Sequence, residues 1–165
     1  MIRDALLRDA ATLAQVHVAS WQEAYRGLID QSFLDSLDVT GRTETWDRIL
    51  RQGRVRVLVA EADHRIVGFC TVGRSADEGW GEVYSIYLSP EHWGRGLGRD
   101  LLASGEQALS ESGEERVLLW VLDTNLRARE FYERQGWVSG KPIRIEKFGD
   151  QDVTEVRYEK SLIPI

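Results

Sequence analysis

Three glycines at alternate positions constrain the fold of this chain more than any other feature. Gly94, Gly96 and Gly98 join a segment rich in Val, Ile and Tyr, 82–88, to an amphipathic segment, 96–111. The first segment predicts a buried strand and the second a helix. Glycine permits positive φ and a close backbone approach, and the first turn of a helix carries unpaired N–H groups. A strand, a glycine turn and a helix in this order predict a cradle for a diphosphate.

The spacing of these glycines distinguishes the turn from two other phosphate-binding motifs. The dinucleotide fingerprint requires G-x-G-x-x-G, and the phosphate-binding loop of many nucleotide triphosphatases requires Gly-Lys-Ser/Thr. Residues 94–99 read GRGLGR and match neither pattern. Arg95 and Arg99 add positive charge beside the turn, which favours an anionic ligand. Taken alone, an ordinary tight turn that caps a helix remains the alternative interpretation.

Hydrophobic periodicity assigns the other segments. Strands are predicted at 2–7, 55–60, 65–72, 82–88, 117–122, 137–147 and 152–160. Helices are predicted at 9–22, 30–37, 40–52 and 96–111, followed by a short helix that ends at Gly136. The order β-α-α-β-β-β-α-β-α-β-β predicts an α/β fold with a mixed central sheet and helices on both faces. A length of 165 residues fits a single domain over 1–165.

Composition narrows the classes of partner. The net charge of −6 disfavours nucleic acid, whose binding needs a basic surface, and favours a cationic substrate. No apolar run approaches the length that spans a bilayer, and Met1–Asp4 lacks the apolar core of a signal peptide. We therefore expect no membrane association and a cytoplasmic location. Cys70 is the only cysteine and the three histidines are scattered, so neither an intrachain disulfide nor a metal site is expected.

A second motif lies in residues 123–137. It matches the pattern Asn-x-x-Ala-x-x-Phe-Tyr-x-x-x-Gly-Phe at Asn125, Ala128, Phe131, Tyr132 and Gly136, with Trp137 in place of the last phenylalanine. This pattern is similar to a signature of the GNAT superfamily of acetyl-CoA-dependent N-acetyltransferases. Gly96 and Gly98 also match the last two positions of that family's acetyl-CoA turn, Gln/Arg-x-x-Gly-x-Gly/Ala, whereas Trp93 departs from its first position. The chain thus resembles this superfamily, and the resemblance implies a mostly antiparallel sheet.

The resemblance implies a site for acetyl-CoA as cosubstrate. In family members the strand before the glycine turn bulges and frees backbone groups for the pantetheine arm, while an oxyanion needs N–H donors. The implied contacts are Ile86, Tyr87, Leu88, Trp93, Gly94, Arg95, Gly96, Leu97, Gly98, Arg99 and Asn125. Asn125 could bind the pantetheine amide, cap the following helix, or do both. Trp93 could pack against the cofactor or against the sheet.

The implied reaction needs a base and an acid. A lysine-like amine is almost entirely protonated at pH 7 and must lose a proton before it attacks. Glu82 lies at a spacing from Gly96 that resembles that of the catalytic glutamate in histone-type members; alternatively, it only solvates the start of a strand. Tyr132 occupies the family's position for the acid that protonates the departing thiolate; alternatively, it packs in the core beside Phe131.

The acceptor is the part of the function that the sequence determines least. Trp21, Glu23 and Tyr25 could form a cation-binding wall, or only the packed end of a helix. The favoured function is transfer of acetyl from acetyl-CoA to a primary amine of a small molecule or peptide, by direct attack in a ternary complex. The alternatives are a non-catalytic acyl-CoA sensor and an acetyltransferase for a protein or an aminoacyl-tRNA. Dimers are frequent in the family, so a homodimer is one expected assembly.

Overall fold

A seven-stranded sheet forms the centre of the protein. The computed structural model describes residues 1–164. The strands are β1 (Ile2–Asp4), β2 (Arg56–Ala62), β3 (Arg65–Arg74), β4 (Gly81–Leu88), β5 (Arg116–Leu122), β6 (Val138–Phe148) and β7 (Gln151–Ser161). Their order across the sheet is β1-β2-β3-β4-β5-β7-β6, and each neighbouring pair is antiparallel except the parallel pair of β4 and β5. The predicted mixed, mostly antiparallel sheet is confirmed.

Helices cover both faces of this sheet, as predicted. They are α1 (Ala10–Ala24), α2 (Gln31–Asp35), α3 (Val39–Gln52), α4 (Leu97–Glu111) and α5 (Leu126–Arg134). On one face, α1 and α3 pack around Leu13, Trp46 and Phe69. On the other face, α4 packs through Leu101 and Leu102. No helix within residues 1–164 combines the length and the apolar character needed to cross a membrane.

The first strand is shorter than predicted. It ends at Asp4 rather than at residue 7, and a turn of 3-10 helix, Leu7–Asp9, follows it. Asp9 explains the difference, because its carboxylate accepts a hydrogen bond from the Leu6 backbone N–H at 2.7 Å and pairs with Arg3 at 2.9 Å. This local bond turns the chain before the apolar residues can extend the strand.

Aspartate caps begin the next two helices. The Asp30 carboxylate accepts a hydrogen bond from the Ser32 N–H at 3.4 Å at the start of α2, which is shorter at both ends than predicted. The Asp38 carboxylate accepts from the Gly41 N–H at 3.0 Å at the start of α3. These bonds satisfy N–H groups that a first helical turn leaves unpaired.

The strand β5 is buried on both faces, as its continuous apolar run predicts. Leu118 and Leu119, whose side chains point to opposite faces, are 0% and 1% exposed. β5 therefore lies inside the sheet, between β7 and the parallel strand β4 that leads into the glycine turn.

Candidate active site

The two parallel strands separate soon after they meet. Within the described chain, β4 and β5 pair only at Gly81–Val117 and Glu82–Leu118. Beyond these pairs lies a cavity of about 710 Å³, which is in the size range of small-molecule sites. Its walls come from the end of α1, from both strands, from the glycine turn and from α5.

A bulge interrupts β4 beside this cavity. The register with β3 shifts between Thr71 and Val72, which leaves Tyr84 as the extra residue of β4. The bulge thus lies directly before the segment 86–88. The family resemblance implies a bulge in this strand, with the backbone groups of that segment available to the pantetheine arm. Residues 83–88 of β4 all line the cavity.

The glycine turn has the geometry of an anion cradle. Gly94 and Gly96 have φ values of +76° and +82°, a conformation that residues with a side chain adopt only under strain. The backbone N–H groups of residues 94–99 donate no hydrogen bond to any part of the chain that the structure describes. Arg95 and Arg99 are exposed beside them. Unpaired N–H groups at a helix start, with two guanidinium groups nearby, favour a diphosphate at this end of the cavity.

Trp93 anchors the glycine turn to the strand before it. Its Nε1 donates a hydrogen bond to the Leu88 carbonyl oxygen at 2.8 Å. The guanidinium carbon of Arg127 lies 3.6 Å from the centre of the Trp93 ring, a cation–π contact between two residues that line the cavity. Trp93, which departs from the family pattern, therefore packs against Arg127 and connects the glycine turn to α5. Sequence reasoning missed Arg127, although it lies within the second motif.

The second motif places two side chains on the cavity wall. The Asn125 side-chain oxygen accepts a hydrogen bond from the Ala128 N–H at 3.2 Å and caps α5. The Tyr132 ring is buried, with its centre 5.4 Å from that of Phe131 and 6.1 Å from that of Tyr158. Its hydroxyl forms no hydrogen bond within residues 1–164, and the residue lines the cavity. Burial raises the pKa of Tyr132 well above its ordinary value, so the hydroxyl keeps its proton.

Glu82 lies where β4 and β5 part. It belongs to the last parallel pair, with Leu118, and faces the same side of the sheet as Tyr87. Its carboxylate is half-buried and accepts a hydrogen bond from Ser75 Oγ at 3.0 Å. Burial raises the pKa of Glu82, and the hydrogen bond from Ser75 opposes this shift. A carboxylate with a raised pKa beside a cleft is a candidate base.

The end of α1 supplies the opposite wall. Glu23 and Tyr25 line the cavity, whereas Trp21 lies behind them. The Trp21 ring packs against Tyr25 and Phe148, with centre-to-centre distances of 4.9 Å and 5.2 Å. The Tyr25 hydroxyl lies 2.9 Å from the Tyr87 hydroxyl. Tyr25 and Tyr87 therefore line the cavity as a hydrogen-bonded pair, whereas Trp21 is not part of the lining.

The sequence predicted a role for the backbone of Tyr87 but none for its side chain. Its ring stacks on His17 at 5.9 Å and 15°. His17 is neutral, since burial lowers its pKa to about 4, and its Nδ1 accepts a hydrogen bond from Trp46 at 3.2 Å. These residues lie far apart in the sequence, so no local pattern indicates their contact.

Comparison with known proteins agrees with this geometry. A family model described as the Acetyltransferase (GNAT) family matches residues 17–137. An uncharacterized N-acetyltransferase of Bacillus subtilis, YuaI, is 36% identical over 128 residues, which cover 75% of this chain and 72% of that protein. A spermidine N(1)-acetyltransferase of Thermoplasma acidophilum is 26% identical over 164 residues, which cover 96% and 97% of the two chains.

A solved structure has the same fold. The crystal structure of PaiA N-acetyltransferase from Thermoplasma acidophilum in complex with coenzyme A aligns with a TM-score of 0.73 and 23% identity over 98% of each chain. The family match includes the divergent strands, the glycine turn and α5. The chain therefore belongs to the acetyltransferase (GNAT) family and is an N-acetyltransferase.

Proposed function

We propose that this enzyme transfers an acetyl group from acetyl-CoA to a primary amine of a small molecule or peptide, by direct attack in a ternary complex. One observation carries the proposal. The cavity between β4 and β5 has unpaired N–H groups at one end and an unpaired tyrosine hydroxyl, that of Tyr132, on its wall. A thioester with a diphosphate on the same molecule fits this combination.

The residues of the cavity fit acetyl-CoA along its length. The N–H groups of residues 94–99, with Arg95 and Arg99, would hold the diphosphate. The segment Ile86–Leu88, which has no partner strand on its β5 side, would offer backbone groups to the pantetheine arm. When bound, acetyl-CoA supplies the activated acyl group.

Two side chains would move the protons of the reaction. The amine must give up a proton as it attacks, and Glu82 is the candidate acceptor. Since Glu82 does not itself line the cavity, water would connect it to the amine. Tyr132 would donate its hydroxyl proton to the departing thiolate, because its raised pKa keeps that proton in place at neutral pH.

The acceptor class follows from charge and from similarity. The net charge of −6 favours a cationic substrate through long-range attraction. The similar spermidine N(1)-acetyltransferase is named for a small polyamine. We therefore expect a small amine rather than an anionic nucleic acid.

Release of free CoA tests this function against its alternatives. The purified enzyme with acetyl-CoA is offered polyamines, aminoglycosides, amino acids and peptides and, in a separate arm, aminoacyl-tRNA, and CoA is measured with a thiol reagent. We expect release with at least one small amine. Acetyl-CoA binding without release for any amine would indicate the non-catalytic sensor, and turnover restricted to aminoacyl-tRNA would overturn the small-amine assignment.

A valine at Gly96 is expected to weaken acetyl-CoA binding by roughly tenfold or more. The φ of +82° strains any side-chain residue, and the added methyl groups occupy the approach of the diphosphate. Gly113→Val is the matched control, because Gly113 also has positive φ, +91°, with no atom near its Cβ position, but lies at the other end of α4. Calorimetric titration with acetyl-CoA measures both, and equal affinity of the Gly96 variant and the native enzyme would contradict the cradle.

A further inference from the structure

One wall of the cavity holds a hydroxyl group without a partner. Ser20, on α1, is 1% exposed, and its Oγ forms no hydrogen bond with any described residue. Buried polar groups in folded proteins nearly always have a partner, and a helical serine commonly bonds a carbonyl of the preceding turn. Ser20 also lines the cavity between β4 and β5. An unpaired hydroxyl on the wall of a ligand cavity indicates that the ligand supplies the missing partner.

A second hydrogen-bonding unit lines the same cavity. The hydroxyls of Tyr25 and Tyr87 are 2.9 Å apart, and both residues line the cavity together with Ser20. A single bond between two hydroxyls uses one of their two O–H groups. The pair therefore keeps one O–H and several lone pairs for a third group. Tyr25 ends α1 and Tyr87 lies on β4, so the pair also fixes the distance between these elements.

Among the described residues the cavity lining is poor in carboxylates, although the buried Glu155, outside the lining, acts electrostatically on both tyrosines. Among the described residues that line the cavity, Glu23 is the only carboxylate. It lies at the rim, where its side chain is 40% exposed and pairs with Arg26 at 2.7 Å. Burial raises the pKa of Tyr25 to about 12 and that of Tyr87 well above its ordinary value. Both hydroxyls stay neutral at ordinary pH, which suits a neutral ligand group with N–H hydrogens.

We propose that Ser20, Tyr25 and Tyr87 form the subsite that holds the reacting nitrogen of the acceptor. A neutral primary amine has two N–H hydrogens and one lone pair. Glu82, through water, first takes the third hydrogen of the ammonium form. The Ser20 oxygen then accepts one of the two remaining hydrogens, the tyrosine pair accepts the other, and the lone pair is left free to attack. The N–H proton lost as the amide forms replaces the one that Tyr132 gives to the thiolate. The subsite thereby selects primary amines over secondary amines, which have a single N–H to donate. This inference rests on the proposed function and names the side chains that would recognise its acceptor.

Ser20→Ala gives the sharpest test, because two measurements should move in opposite directions. Removing an unpaired buried hydroxyl relieves a desolvation cost, so the melting temperature should stay the same or rise. The kcat/KM for the acceptor should fall by roughly tenfold, the loss of about one hydrogen bond, while acetyl-CoA affinity is unchanged. The probes are spermidine and 2-phenylethylamine, with N-methyl-2-phenylethylamine as the secondary amine. The native enzyme should favour the primary member of that pair, and Ser20→Ala should reduce the preference.

Ser112→Ala is the matched control. Ser112 follows α4 outside the cavity lining, and its hydroxyl donates a hydrogen bond to the Ala108 carbonyl oxygen at 3.0 Å. Its loss should not raise the melting temperature and should leave the acceptor KM unchanged. Tyr25→Phe and Tyr87→Phe should each raise the acceptor KM. The double variant should raise the acceptor KM by less than the product of the two single factors, since the hydroxyls act as one unit.

Three results would overturn the subsite. Acceptor kcat/KM of Ser20→Ala within about twofold of the native value would show that the hydroxyl binds no acceptor. Weaker acetyl-CoA binding with an unchanged acceptor KM would assign Ser20 to the acyl donor instead. Absence of CoA release from the native enzyme with every amine would refute the proposed function as a whole, and the subsite with it.

Discussion

Replacing Tyr132 with phenylalanine is expected to lower kcat by roughly 10²–10⁴-fold, the usual contribution of a general acid. A departing thiolate has a pKa near 8.5 and a phenol one near 10, so proton transfer is only mildly uphill in water. In the cavity the thiolate is desolvated, so protonation stabilises it more than it would in water. The change removes one oxygen that forms no hydrogen bond within residues 1–164, so packing of the ring against Phe131 should survive.

Tyr158→Phe provides the control for this experiment. Tyr158 is fully buried beside Tyr132, but its hydroxyl donates to Glu133 at 2.8 Å and accepts from Arg129 at 3.1 Å. Its loss should lower the melting temperature and leave kcat unchanged. For Tyr132→Phe we expect a lower kcat, with the melting temperature and the acetyl-CoA affinity unchanged. A kcat within about threefold of the native value would mean that Tyr132 only packs.

Replacing Glu82 with glutamine is expected to lower kcat/KM by roughly 10²–10⁴-fold near neutral pH, as for loss of a general base. Glutamine keeps the shape of the side chain and its contact with Ser75 but cannot take a proton. Glu114→Gln is the matched control. Glu114 is also largely buried beside the start of β4, where it approaches the Cβ position of Gly81, but it belongs to the α4–β5 connection and does not line the cavity.

The pH dependence of the Glu82 effect has a definite sign. The base acts only when it is deprotonated, so the native advantage is lost as the pH falls through the raised pKa of Glu82. It is also lost as the pH rises toward about 10, where a lysine-like amine deprotonates unaided. The ratio of native to variant rates should therefore be largest between these two values. If the ratio of native to variant rates is constant from pH 6 to pH 10, Glu82 has only a structural role.

The sequence predicted the elements whose signals are local. The apolar run of β5 and the period of α4 depend on neighbouring residues, and both elements lie where the pattern placed them. The glycines before α4 also carry their own conformational signal, since positive φ at Gly96 depends on the absence of a Cβ atom. The first strand was predicted too long because the turn that ends it depends on the Asp9 side chain, which apolar periodicity does not register.

By itself the sequence determined the fold class, the family and the residues of the two motifs, because these depend on local period and on short fixed spacings. Only the tertiary structure decided what faces the cavity. The Tyr25–Tyr87 contact joins residues far apart in the chain, and the position of Glu82 depends on where two strands part. The unpaired hydroxyl of Ser20 has no sequence signature at all, because whether a polar group is satisfied depends on every atom that packs around it.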